Sequence, residues 1–313
     1  MPQISASVLL KNKTGKTTFE GKVNIAMHYA DYKTVLSPQN GMNLYRGCTH
    51  GCIYCDSRSA CYQMSHDFED IEVKRNAPLI LESQLRRKRK PCMIGTGSMC
   101  DPYLHLESEL QITRDCLTLI EEYGFGLTIL TKSSRILRDL DILKSINEKT
   151  KCVVQVTLTT YDEDLCRKIE PNVSTTLERF HVLETMLKAG IPTVVWISPL
   201  LPFINDTEEN LHGLLDYCIK AKVRGIICFG FGMTLRQGNR EYFYAKLDEL
   251  FPGLKQKYIQ EFGNAYSCSS RNNRQLMDIL RAECQQHGLL YEPDAVFSYL
   301  HSFEAKERQM SLF

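Results

Sequence analysis

The chain has 313 residues, 38 basic against 37 acidic, and 43% hydrophobic residues. That composition supports one large folded core with an appendage and excludes a disordered chain, while a net charge of +1 removes any global electrostatic argument for nucleic acid. No apolar run has the length of a membrane span, and "MPQISASVLLKNKTGKTTFEGK" has polar breaks where a signal peptide would be apolar, so a cytoplasmic protein is expected.

In chain order, residues 1–38 read as an N-terminal extension. From residue 39 to 235, short β-rich apolar runs alternate with stretches of helical period. A first strand is expected to lead into "LYRGCTHGCIYCDSR" at 44–58, and a helix to end in the basic run "RRKRK" at 86–90. Positive charge suits a helix C-terminus and equally suits a phosphate contact. Strands are expected at 92–97, 126–132, 152–159, 192–198 and 225–231. Between them, Leu177, Phe180, Leu183, Met186 and Leu187 share one helical face, as do Leu211, Leu214, Leu215, Cys218 and Ile219. Gly190 reads as a helix stop, and Asp206 with Glu209 as a capping box. Strand and helix repeated about six times imply parallel pairing, in a barrel or an open doubly wound sheet. Neither GxGxxG nor GxxxxGK[ST] is present. After residue 240 the strand rhythm stops and Glu241 to Gly288 looks helical, so 236–300 read as a helical region and 301–313 as a charged tail.

Thirteen cysteines in a chain expected to be cytoplasmic do not make a disulfide framework. Ten stand singly, several in apolar stretches where a free thiol acts as a small hydrophobe. Only Cys48, Cys52 and Cys55 have metal-ligand spacing, CxxxCxxC, with Gly47 and Gly51 leaving the backbone free to approach the sulfurs. A structural zinc site wants four ligands, and His50 is the nearby candidate for the fourth. A four-iron, four-sulfur cube held by three cysteines instead leaves one iron open for a small molecule.

CxxxCxxC with an aromatic, Tyr54, before the last cysteine resembles the cluster loop of the radical S-adenosylmethionine enzymes. The resemblance implies a partial (β/α)6 barrel of the TIM-like type with a small C-terminal helical appendage, a 4Fe-4S cluster on Cys48, Cys52 and Cys55, and S-adenosyl-L-methionine on the open iron with its adenine against Tyr54. Reductive cleavage of the sulfonium would give methionine and a 5′-deoxyadenosyl radical that abstracts hydrogen from an unactivated carbon. An electron donor such as flavodoxin or ferredoxin is implied as a partner. "GTGSMCDPYLHLE", "LTKSSRILRDLDIL" and "IEPNVSTTLERFHVLETMLKAGIPTVVWISPLLPFIND" narrow the resemblance to the spore photoproduct lyase-like group, often described as DNA repair photolyase homologues.

Within it, Gly95, Thr96 and Gly97 match the segment that approaches S-adenosylmethionine, and Lys132 matches a lysine near its methionyl end. Arg179 matches an arginine that pairs with its carboxylate. Spore photoproduct lyase returns a hydrogen atom from a cysteine in the order cysteine, any residue, serine, aspartate. Here the order is Ser98, Met99, Cys100, Asp101, so Cys100 is displaced from the matching position. The last five residues, Gln309, Met310, Ser311, Leu312 and Phe313, resemble the QLSLF pentapeptide that binds the bacterial replication sliding clamp. The expected function is a lyase-like radical S-adenosylmethionine enzyme acting on DNA. The alternatives are the same chemistry on RNA, a peptide or a small molecule, and a metal-stabilised accessory protein without catalysis. The other cysteines form no CxxC pair, which argues against maturases and methylthio-transferring relatives.

Overall fold

The structure is a computed structural model that describes residues 26–306, together with the strands Leu10–Lys11 and Thr17–Thr18. The clamp-like tail, Gln309 to Phe313, lies outside the described residues.

The organising element is a six-stranded sheet of β4 (Gly41–Met42), β7 (Met93–Thr96), β8 (Gly126–Thr131), β9 (Cys152–Thr157), β10 (Thr193–Trp196) and β11 (Gly225–Ile227). Every neighbouring pair is parallel, and the spatial order equals the chain order. That progression is a partial TIM-like barrel, the fold that the family resemblance implied and one of the two that the alternating pattern left open. The crossovers carry α1 (Ala77–Arg87), α2 (Glu107–Leu110), α3 (Ile112–Glu122), α4 (Leu140–Lys149), α5 (Glu163–Ile169), α6 (Thr176–Lys188) and α7 (Glu208–Lys220). Buried parallel strands need apolar residues on both faces, which is why "CVVQVT" reads as a nearly continuous apolar run.

The two faces have different partners. Val154, Val156, Val195 and Ile226 pack outward against Leu143, Leu183 and Leu214 of the helices. Val153, Val194 and Ile227 pack inward against Val296 and Leu300 of α11 (Pro293–His301), which closes one end of the inner face. Further along that face Gln155 donates to Thr128 Oγ1 at 2.6 Å and accepts the Trp196 indole N–H at 2.8 Å. Thr157, two residues on and therefore on the same side, reaches the cleft at the C-terminal ends of the strands.

A second sheet runs in the order β1 (Leu10–Lys11), β2 (Thr17–Thr18), β3 (Met27–Ala30), β6 (Ile71–Lys74), β5 (Tyr45–Arg46). It was not expected: β3 lies in the segment read as an extension, and its partner β6 is more than forty residues away. Beyond the barrel come β12 (Gly232–Thr234), α8 (Asn239–Leu250), α9 (Leu254–Phe262), β13 (Ser267–Ser269) and α10 (Asn273–His287). β12 and β13 pair antiparallel, so the region after residue 235 is not purely helical.

Local expectations are corrected in two places. Thr207, not Asp206, caps α7 by accepting Asn210 N–H at 3.2 Å, while Asp206 accepts Phe203 N–H and the Ser270 hydroxyl. On α6 the buried face is Arg179, Val182, Leu183 and Met186, and Leu177 and Leu187 are exposed. Gly190 does follow the end of α6, at φ +71°.

Candidate active site

The cysteine loop follows β5 and returns toward the strand ends under two backbone constraints. Gly47 has φ +88°, and a Cβ there would strike the Phe68 carbonyl, which accepts the Cys48 N–H at 2.9 Å. Gly51 has φ +71° and lies against Pro171 and Asn172. Only glycine takes both the left-handed conformation and the close approach at Gly47. The loop therefore hangs from the 66–70 segment on one side and the end of α5 on the other, where Ile53 N–H donates to Ile169 O at 3.0 Å.

Cys48, Cys52 and Cys55 line one cleft with about 540 Å³ of empty space, whose walls include Gly97, Leu130, Thr131, Lys132 and Thr157 from three strand ends. A fourth thiol, Cys100, also lines it and donates to Gly47 O at 2.8 Å. Hydrogen bonding to Cys100 holds the Cys48 thiol well below its usual range, helped by His50 and opposed by burial. The same bond and burial push Cys100 well above its usual range. Burial raises Cys52 and Cys55, and Lys132 opposes this at both. Burial also works against the charge on Lys132, but the neighbouring Cys52 and Glu170 outweigh it and raise its pKa.

The proposed ligand residues divide into those that face the cleft and those behind it. Gly97 faces it at φ +97°, where a Cβ would fall on the Leu130 carbonyl. Gly95 and Thr96 lie in β7, paired with Thr128 and Ile129, and do not line the cleft. Lys132 lines it, with Nζ 5.9 Å from the centre of the Tyr54 ring. Tyr54 is buried behind the loop, its hydroxyl donating to Glu170. Arg179 does not face the cleft: it is 1% exposed, donates to Ser174 O at 2.8 Å and Thr157 O at 2.7 Å, and pairs with Glu170. The expected pairing with a ligand carboxylate is replaced by this internal network, in which Arg179 supports Glu170 and Glu170 supports Tyr54.

Sequence reasoning assigned no role to Asp101 or Glu170, and considered His50 only as a fourth zinc ligand. His50 is buried in the cleft wall, with Nδ1 3.7 Å from Asp101 Oδ2 and Nε2 without a hydrogen-bond partner. Burial disfavours its charged form, but Cys48 and Asp101 outweigh that and raise its pKa. Asp101 ties two strand ends together, accepting Thr131 Oγ1 and Lys132 N–H, each at 2.7 Å. Glu170 joins Tyr54 to Arg179. The signal for Asp101 was its place beside Cys100 after a strand; Glu170 carried none. The basic run is partly engaged on the protein itself, Arg86 with Glu82 and Tyr123 and Lys88 with Asn40, all at 2.6 Å.

Three thiols on one cleft wall, one of them held toward its thiolate, fit the donor set of an iron-sulfur cluster with a remaining open position. The thirteen cysteines are all free, so no disulfide competes for them.

Comparison with known proteins agrees with this geometry. An uncharacterized protein of Mycobacterium tuberculosis (strain ATCC 25618 / H37Rv) is 30% identical over 225 residues, 69% of this chain and 65% of that one. An uncharacterized protein of Methanocaldococcus jannaschii is 32% identical over 170 residues, 53% of this chain and 62% of its own. The chain thus spans somewhat less than two thirds of these relatives' lengths. Among solved structures, spore photoproduct lyase complexed with dinucleoside spore photoproduct superposes with a TM-score of 0.60 over 87% of this chain and 85% of its own, at 15% identity. A second structure of spore photoproduct lyase, a cysteine-to-serine mutant, gives 0.61 over 85% and 81%, also at 15%. The likeness is one of fold. A model of the Radical SAM superfamily matches residues 42–215, more than half of the chain, from the strand before the cysteine loop through most of the barrel. The chain belongs to the radical S-adenosylmethionine superfamily of enzymes, which bind a 4Fe-4S cluster and S-adenosylmethionine.

Proposed function

We propose that this enzyme acts on DNA in the cytoplasm, as a lyase that reverses a crosslinked pyrimidine lesion. The observation that carries the reading is Cys100, a fourth thiol buried in the same cleft as the three cluster cysteines. When bound, the cluster and S-adenosylmethionine supply a 5′-deoxyadenosyl radical. Cys48, Cys52 and Cys55 hold the cluster. Gly97 and Lys132, which line the cleft, would face S-adenosylmethionine, with Gly95 and Thr96 setting the strand beneath. Tyr54, oriented by Glu170 and Arg179, forms the wall behind the loop, so Arg179 is a positioning residue. Cys100 returns a hydrogen atom: its S–H bond breaks, a C–H bond forms at a substrate carbon radical, and the unpaired electron stays on sulfur.

An aromatic wall supports a nucleobase substrate. Trp196 projects from the same sheet face as Gln155 and Thr157, and Phe229, 65% exposed, lies edge-on to it at 6.2 Å. Phe229 also stacks on Phe297, with centroids 6.1 Å apart and planes at 18°. Exposed aromatic faces are what unstacked bases bind. Spore photoproduct lyase, which shares the fold, has been solved with a dinucleoside spore photoproduct, and that substrate class is the one proposed here. The tail Gln309, Met310, Ser311, Leu312 and Phe313 would bring the enzyme to the replication sliding clamp, and a flavodoxin or ferredoxin would deliver the electron.

The test is anaerobic reconstitution, then reaction of reduced enzyme with S-adenosylmethionine and ultraviolet-irradiated DNA in deuterated water. Restored thymine carrying solvent deuterium in the wild type, and lost in C100A, supports the reading. Cleavage of S-adenosylmethionine with no change in any DNA lesion contradicts it.

A further inference from the structure

The second sheet assembles a set of side chains that the barrel chemistry does not use. β3 and β6 run parallel with Met27 opposite Ile71 and His28 opposite Glu72. Met27 and Ile71 are buried, so the alternation places His28, Glu72 and, two residues before it, Asp70 together on the other side. His28 Nδ1 lies 3.2 Å from Asp70 Oδ1, and its Nε2 lies 3.7 Å from Glu72 Oε2. His66 arrives from the segment before β6 and packs its ring edge-to-face on His28, with centroids 4.7 Å apart and planes at 83°.

The tautomer of His66 is determined by its backbone. Its Nδ1 lies 3.0 Å from the Asp67 carbonyl, which only accepts, so Nδ1 carries the proton and Nε2 presents a lone pair. That Nε2 is buried and has no hydrogen-bond partner. A histidine that donates one ring nitrogen to a backbone carbonyl and keeps the other buried and unpartnered, with its ring against a second imidazole, resembles a metal ligand in its setting. One ligand atom from each of His28, His66 and Asp70 lies within 4.8 Å of the others. Ligands about 2.0–2.2 Å from a tetrahedral ion stand roughly 3.4 Å apart, so side-chain rotation by about an ångström closes the set.

We propose that His28, His66 and Asp70 form a second metal site, separate from the cysteine cleft, for a divalent transition ion of the zinc class, with Glu72 as the nearest further carboxylate. Two imidazoles and a carboxylate suit zinc and its borderline neighbours better than calcium or magnesium, which prefer oxygen alone. The ion would clamp β3 to the 66–70 segment. Phe68, midway between His66 and Asp70, gives its carbonyl to Cys48 N–H and bounds the space at Gly47. The site therefore secures the support from which the cysteine loop hangs.

Cobalt(II) titration of the reconstituted holoenzyme, with the cysteines already occupied by the cluster, tests this. The expected result is one cobalt per chain with d–d absorption and no sulfur charge-transfer band. H66Q should weaken binding at least tenfold, and H66C should bind cobalt and add a sulfur charge-transfer band. Iron content in both variants reports whether the fold and cluster survive. Absence of saturable binding in the wild type overturns the proposal, as does binding that H66Q leaves unchanged and H66C does not recolour.

Discussion

Tyr54 of the cysteine loop donates its hydroxyl to Glu170, 116 residues later in the chain, and the other oxygen of that carboxylate pairs with Arg179. All three side chains are buried, so the aromatic next to Cys55 is positioned by an ion pair near the C-terminal end of β9 rather than by the loop alone.

Breaking that pair from one side leaves a buried charge uncompensated. R179M should cost about 3–5 kcal/mol of stability, and Y54F, which removes one hydrogen bond from Glu170, about 1–3 kcal/mol. Urea denaturation of the two variants checks the order. Equal losses would mean that Arg179 is not the main support of Glu170.

The same carboxylate predicts an acid limb. Burial raises the pKa of Glu170, but Arg179 and Lys132 outweigh it and bring it below its ordinary 4.5. A depressed folded pKa contributes stability that is complete above the unfolded value and lost as pH falls through the folded one. Stability should therefore fall with acid below about pH 4.5 in the wild type, and that limb should be shallower in E170Q relative to its own neutral value. Parallel pH profiles of urea midpoints would contradict the assignment.

Gly97 and Gly190 separate backbone conformation from crowding. Both have positive φ, but a Cβ at Gly190 meets open space and one at Gly97 falls on the Leu130 carbonyl. G190A should cost about 1 kcal/mol and G97A more than about 3 kcal/mol, measured by thermal unfolding. G97A should also lower S-adenosylmethionine affinity, because the strand end forms the cleft wall.

Phe229 is exposed but stacked, so its removal should leave stability within about 0.5 kcal/mol while costing about 1–3 kcal/mol of affinity for lesion-bearing single-stranded DNA. Fluorescence anisotropy of F229A measures this. An unchanged affinity would take the aromatic wall out of the substrate site.

Much of the barrel was legible because buried parallel strands announce themselves as mostly apolar runs in "CMIGTG", "CVVQVT" and the first three residues of "GIICFGF", where the strand ends at Ile227 and Phe229 is exposed. The cysteine loop was legible because its spacing is local. β3 was not, since "MHYA" becomes a strand only through β6, and neither was β13, whose three residues depend on β12. Arg179 shows the limit most clearly. Its charge is visible in the sequence and invites a ligand carboxylate, but the carboxylate it meets belongs to Glu170 at the end of a neighbouring helix. Likewise His50 sits within the tight loop, and only the fold reveals that its ring lines the cleft beside Asp101.

The most direct test of the central claim is iron content and S-adenosylmethionine cleavage in four anaerobically reconstituted variants, C48A, C52A, C55A and C100A. The account predicts loss of iron and of 5′-deoxyadenosine formation in the first three. C100A should keep both and lose only the return of hydrogen to the DNA lesion. Loss of the cluster in C100A, or its retention in C48A, C52A or C55A, would contradict the assignment of three cysteines as ligands and the fourth as hydrogen donor.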